Sequence, residues 1–196
     1  MQNLPGTIWS ELSLRLGSLD PDEIIFVGVG NRMKGDDAIG PILLDLLHES
    51  FSHRIDAGVA PEEYTSVIKR LKPSAIVFFD ALDLGSLPGE IQIIEPEEIA
   101  RFRGSTHTLS LDLILEYLAE ETGADVFVIG IQYARIHDEP GLSPGIEYSI
   151  RECAALIYSS ITATNEERKG DAGIITNSRR ETCQNFDQEK KFWDII

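Results

Sequence analysis

The stretch Ile24–Gly40, IIFVGVGNRMKGDDAIG, constrains this chain more than any other. Ile24, Ile25, Phe26 and Val27 form a short run of β-branched and aromatic residues, which reads as a buried strand. Gly28 and Gly30 punctuate it where a side chain would block a tight turn or a close approach. Asn31 and the pair Asp36-Asp37 follow. The period then changes: Ile39, Ile42, Leu43, Leu46 and Leu47 fall at helical spacing, which predicts a helix over 36–49. Strand, glycine turn, carboxylates and helix is an order suited to an open α/β sheet, whose ligands sit beyond the carboxyl ends of the strands.

Two readings compete for this loop. A dinucleotide fingerprint needs three spaced glycines, but Met33 stands where the third belongs. Two acids at the helix start would also repel a phosphate. The other reading makes the acids metal ligands or acid/base groups. Against both stands the plain structural role, in which Asp36 is a helix N-cap and Asp37 favours the helix dipole. For Asp36 the plain role is preferred; for Asp37 the loop alone leaves the matter open.

The rest of the chain repeats the alternation. Met1–Asp22 carries Ile8, Leu12, Leu14 and Leu16, the pattern of a short amphipathic helix closed by Pro21. A strand is expected near 54–60, then a helix over Glu62–Leu71 with Pro61 in its first turn. Ser74–Asp80 is a continuous apolar run that ends in an acid, the signature of a strand buried on both faces. Glu90–Ile94 alternates like an edge strand, and Pro96 opens a helical turn. Leu109–Glu121 reads as an amphipathic helix, Asp125–Ile131 as another strand, and Gly145–Ile161 as a closing helix. The expected fold is α/β: a three-layer, twisted, mostly parallel sheet with helices on both faces. Residues 1–162 form this single domain, and 163–196 form a polar tail of mixed charge, read as mobile.

A formal net charge of −16 argues against general affinity for nucleic acid or an anionic membrane. No apolar run reaches membrane length and no basic-plus-apolar segment opens the chain, so a cytoplasmic location without membrane insertion is expected. The two cysteines, Cys153 and Cys183, make neither a metal-ligand spacing nor a disulfide framework. Cys153 lies in a helical apolar pattern and is expected in the core.

Three residues stand at equivalent places: Asp37 after the first strand, Asp80 ending the central strand, and His107 in a loop before a helix. Two carboxylates and an imidazole suit nickel, zinc, copper or iron, and three protein ligands leave positions for water or substrate. For His107 alone, a ligand and an ordinary loop histidine stand level. His48, His53 and His137 read as surface residues, and Asp83 lies outside the strand pattern.

These residues carry a family resemblance. GVGNRMKGDDAIGP resembles the first motif of the nickel-dependent hydrogenase maturation endopeptidases, a strand followed by G-x-G-N and an acid pair. Ile55–Glu62 resembles the family's second turn, and Phe79-Asp80-Ala81 with Pro88-Gly89 its central motif. Ser105-Thr106-His107 resembles its histidine loop; Gly130-Ile131-Gln132 and Gly141–Pro144 resemble its last strand and following loop. The likeness runs from about Ile24 to Ile161. It is strongest toward members that process the large subunit of formate-hydrogenlyase-type hydrogenases, and toward their archaeal relatives.

The resemblance implies an aspartyl-type endopeptidase that removes a C-terminal extension from the hydrogenase large-subunit precursor after nickel insertion. It implies Asp37, Asp80 and His107 as catalytic residues and metal ligands, with nickel carried by the precursor and no other cofactor. It also implies one antiparallel edge strand, for which Glu90–Ile94 is the candidate. Asp36, Asp56 and Asp83 are candidates to support the ligands. The alternatives from other classes are a dinucleotide-binding module and a non-catalytic chaperone that senses nickel.

Overall fold

The computed structural model describes residues 5–102 and 108–171. Its helices are α1 (Pro5–Leu16), α2 (Ile39–Leu46), α3 (Thr65–Leu71), α4 (Thr108–Thr122) and α5 (Ile146–Asp171). Its strands are β1 (Ile24–Val29), β2 (Arg54–Gly58), β3 (Ala75–Leu82), β4 (Ile91–Ile94) and β5 (Asp125–Gln132). The strands form one sheet in the order β2-β1-β3-β5-β4. β2, β1, β3 and β5 run parallel, and β4 pairs antiparallel with β5 at the edge. The predicted sheet, its edge strand and its two helical layers are all present.

Alternation along the strands explains the layers. In β3, Ala75, Val77, Phe79 and Ala81 face the core shared with α1, α2 and α5. Ile76, Phe78 and Leu82 face the core shared with α3 and α4. Covered on both sides, all eight residues of β3 are buried, which is why the sequence there is a continuous apolar run rather than an alternating one. Asp80 has the parity of Ile76, Phe78 and Leu82, so its side chain projects to the α3/α4 side.

Helix α1 docks through Ile8, Leu12 and Leu16, one stripe at i, i+4 and i+8. Leu14, which belongs to the apolar pattern in the sequence, is 83% exposed. A step of two residues crosses to the far side of a helix. Pro21 opens a short 3-10 turn, Pro21–Glu23, rather than closing α1. Arg15 then fastens α1 to the sheet. Its Nε donates to Asp125 Oδ2 at 2.8 Å and its Nη2 to Glu95 Oε2 at 3.2 Å. Its guanidinium lies 4.0 Å from the centroid of the Phe127 ring. Replacing Arg15 by methionine keeps the stem but strands two acids that are about two-fifths exposed. Urea denaturation of Arg15→Met should show a loss of about 2 kcal/mol, below the figure for a fully buried pair because water still reaches the acids. An unchanged midpoint would mean that the clasp contributes nothing.

Several helix boundaries differ from expectation; α3, expected from Glu62, starts at Thr65 after a 3-10 turn over Pro61–Tyr64. Over 36–49 the chain first makes a 3-10 turn, Gly35–Ala38, and only then α2. Pro41 has no N–H to donate to the Asp37 carbonyl, so an α-helix cannot run unbroken through this point. At the other end of the chain, α5 continues past Ile161 to Asp171. The chain divides into two compact units, Met1–Asn165 and Glu166–Ile196. Among the described residues no helix is long and apolar enough to cross a membrane.

Candidate functional site

The site is built on the carboxyl ends of β1 and β3, which pair in register as Gly28 with Phe79. Helix α2 rests directly on these strands because two glycines let backbone meet backbone. A Cβ on Gly28 would lie 2.6 Å from Leu44 Cδ1 and 2.7 Å from the Gly40 carbonyl oxygen. A Cβ on Gly40 would collide with the carbonyl oxygens of Val29 and Phe79. Gly30 adopts φ +127°, and a Cβ there would overlap the Asp37 carbonyl oxygen.

Three of the loop's backbone donors are already spent. Gly30 N–H donates to the Gly58 carbonyl at 2.8 Å, Asn31 N–H to Asp37 Oδ2 at 2.9 Å and Met33 N–H to Asn31 Oδ1 at 2.9 Å. A dinucleotide pyrophosphate would need such groups for itself. Met33, at the third glycine position, is 61% exposed.

Asp37 is buried in the Gly35–Ala38 turn, and that turn packs against β3. Asp80 is fully buried two residues before the end of β3. A buried carboxyl in an otherwise apolar strand is costly, so it departs from what packing alone would select. The third member of the expected trio, His107, lies outside the described residues. Helix α4 begins at the next residue, Thr108, and packs on the face toward which Asp80 projects. Among the described residues no group of three His, Cys, Asp or Glu is placed to hold a metal ion.

Asp36 is not the N-cap of α2; that position is Ala38, which makes no side-chain cap. The Asp36 carboxylate instead reaches across to the loop after β5. It accepts from the N–H groups of Ala134 at 2.9 Å, Arg135 at 2.8 Å and Ser143 at 2.6 Å. Sequence spacing could not reveal this, because the partners lie about a hundred residues away.

Gln132 is a second residue that the sequence left unassigned beyond its place in a motif. It ends β5 on the same face as Asp80 and is buried. Its Oε1 accepts from Leu84 N–H at 2.7 Å and Ser86 N–H at 3.3 Å, and its Nε2 donates to the Tyr133 carbonyl at 3.0 Å. The loop after β3 is held in this way. Burial, then the charge of Asp83, raises the Tyr133 pKa above its ordinary value. In the sequence its only mark is a polar side chain ending an apolar strand, which says nothing of its partners.

The other candidates have separate roles. Asp56 is exposed on β2 and accepts from Arg32 Nε at 2.9 Å, while Arg32 also grips Asp45 and the Pro41 carbonyl. Hydrogen bonding to Asp45 leads the causes that raise the Arg32 pKa. Asp83 is exposed; its Oδ1 accepts from Gly85 N–H at 3.4 Å. His48 is exposed and His53 half-buried. His137, expected at the surface, is half-buried with its Nδ1 shielded, because its ring lies against Gly35. Cys153 is a core residue, and burial pushes its thiol up to about 12, which leaves it inert as a nucleophile.

Comparison with known proteins agrees with this architecture. Residues 46–160 match the family model described as HycI, hydrogenase maturation protease. The chain is 38% identical over 112 residues to the hydrogenase 3 maturation protease of Escherichia coli K12, covering 55% of this chain and 71% of that protein. A nickel–iron hydrogenase maturation protease HycI from Thermococcus kodakarensis superposes with a TM-score of 0.62 at 30% identity, covering 71% of this chain and 92% of that one. A crystal structure of the hydrogenase 3 maturation protease superposes at 0.60 with 32% identity, covering 67% and 86%. Matching these peptidases in sequence and in fold, the chain belongs to the hydrogenase maturation protease family and is a hydrolase of the peptidase class.

Proposed function

We propose that the protein removes the C-terminal extension of a nickel–iron hydrogenase large-subunit precursor after nickel has been inserted. Asp37, Asp80 and His107 act together on the nickel that the precursor carries. The observation that supports this most is a pair of buried carboxylates in a chain of this family, Asp37 in the turn that follows β1 and Asp80 near the end of the adjacent parallel strand β3. Burial without packing value suits groups kept for a cation. Helix α4 starts one residue after His107 on the Asp80 side, which suits a third donor from that loop.

In this reading nickel is substrate, not a resident cofactor. It is the recognition handle, and bound near the scissile peptide it polarises the carbonyl or activates a water. The chain's own part is to present two carboxylates, held by the first loop and β3, and the imidazole of His107, which precedes α4 in the sequence. With Cys153 buried and unreactive, and the G-x-S-x-G match at Gly141–Gly145 lying in a loop well beyond the end of β5 rather than at a tight strand-to-helix turn, neither Cys153 nor Ser143 is invoked as a nucleophile.

The test is incubation with a purified precursor, nickel-loaded or nickel-free, followed by intact-mass measurement of the large subunit. A mass loss equal to a C-terminal segment, seen only with nickel, is the expected result. Unchanged mass with tight binding would make the protein a nickel-sensing chaperone instead. Cleavage without nickel would remove the metal from the proposal.

A further inference from the structure

We infer that Asp36 is a positioning residue: it fastens the loop after β5 to the Gly35–Ala38 turn and thereby sets the direction of the Asp37 carboxylate. The role of Asp37 in cleavage rests on the reading above; the positioning itself does not.

The argument begins with cost. Two consecutive acids are buried in one 3-10 turn, Asp36 at 0% and Asp37 at 5% exposure. Adjacent buried carboxylates repel, and each also loses its hydration. They stay apart because separate sets of N–H groups hold them. Asp36 takes the three donors of the far loop, Ala134, Arg135 and Ser143. Asp37 takes one from the near loop, Asn31.

The backbone closes the same clasp. Asp36 N–H donates to the Arg135 carbonyl at 3.2 Å, and Gly35 N–H to the Glu139 carbonyl at 2.8 Å. Outside the loop, Lys34 Nζ stands 3.4 Å from Asp138 Oδ1. The 34–36 segment is therefore tied to loop 134–143 along its whole length. Asp37 is the next residue, with one N–H donor on its carboxylate among the described residues, so its direction depends on the peptide that Asp36 holds. Asparagine at position 36 would break the arrangement. It keeps one acceptor oxygen and turns an NH2 group toward N–H donors that need acceptors.

Amide hydrogen exchange reads this directly, because Asn31 N–H reports on Asp37 and the three far-loop amides report on Asp36. In the wild-type full chain the amides of Asn31, Ala134, Arg135 and Ser143 should open as one unit with a common rate. In Asp36→Asn all four should exchange at least tenfold faster, while the amides of β3 keep their protection. A role confined to the far loop would free Ala134, Arg135 and Ser143 and leave Asn31 protected.

Steady-state cleavage of nickel-loaded precursor by Asp36→Asn should show kcat reduced tenfold or more, with KM changed less than threefold. An Asn31 amide that stays protected, or an unchanged kcat, overturns the inference. If the variant loses protection throughout β3, the wild-type rates decide: a separate rate for Asn31 overturns the inference and a common one supports it. If the wild-type chain cleaves no precursor, the proposed function fails while the Asn31 amide still decides the role of Asp36.

Discussion

Asp37→Asn and Asp80→Asn are each expected to lower precursor cleavage by on the order of 100-fold or more, with little change in melting temperature. Asparagine matches aspartate in size, so neither pocket is emptied. What is lost is negative charge rather than volume. A carboxamide oxygen is a weak donor to a first-row divalent cation, and outer-sphere partners alone are worth roughly 10–100-fold. A group that meets the metal should reach or exceed the upper figure. At position 37 the amide oxygen can still accept from Asn31 N–H, so the loop keeps its shape. His107→Ala removes the only nitrogen donor of the trio and should match the two acid variants. Asp83→Asn is the control: Asp83 is exposed beside Gln132, and cleavage should change by less than about threefold. Single-turnover cleavage followed by mass spectrometry, paired with thermal unfolding, measures both quantities. Cleavage by Asp80→Asn at more than a tenth of the wild-type rate would remove that carboxylate from the chemistry.

The largest stability losses are expected at Gly30 and Gly40. Valine at Gly30 must adopt φ near +127° and place its Cβ against the Asp37 carbonyl oxygen. Alanine at Gly40 must push α2 away from the backbones of both β1 and β3, since its Cβ would meet Val29 and Phe79 main-chain atoms. Main chain inside a sheet cannot step aside as a side-chain tip can. Each change should cost on the order of 3 kcal/mol. At roughly 2–4 °C per kcal/mol for a chain of this size, that lowers Tm by about 6–12 °C. The two variants should differ in function. Gly30→Val displaces Asp37 and should lose cleavage even well below its melting temperature. Gly40→Ala acts through α2 and should recover part of its activity at low temperature. A Gly30→Val protein with wild-type activity would detach this turn from the site.

Much of this was legible in the chain. Continuous apolar runs marked β1, β3 and β5, because strands buried on both faces need apolar residues on both parities. The alternation of Glu90–Ile94 marked the edge, where one side of the strand is less covered. The glycines marked the close approach of α2. Two kinds of information were not legible. One was local but masked by pattern: Leu14 sits at an apolar-looking spacing yet points to solvent, and Pro41 interrupts hydrogen bonding without interrupting hydrophobic period. The other was non-local. Asp36 looked like a helix cap because caps are read from neighbours, and its partners are 98 to 107 residues away. Gln132 was equally silent, since its partners come from another strand's loop.

That distance has a consequence for when the molecule becomes active. The ribosome delivers Asp36 and Asp37 early and Ser143 another 107 residues later. At about 5–20 residues per second, this leaves an interval of roughly 5–20 s in which Asp36 exists without the loop that holds it. β1 must likewise wait for β3, and β3 for β5, before the sheet's centre is paired. A nascent chain, or one truncated before Ser143, thus carries the residues of a peptidase without their arrangement. With Asp36 in the positioning role proposed above, the order of synthesis would work as a timer, and hydrolytic capacity would arrive only once the far loop is in place.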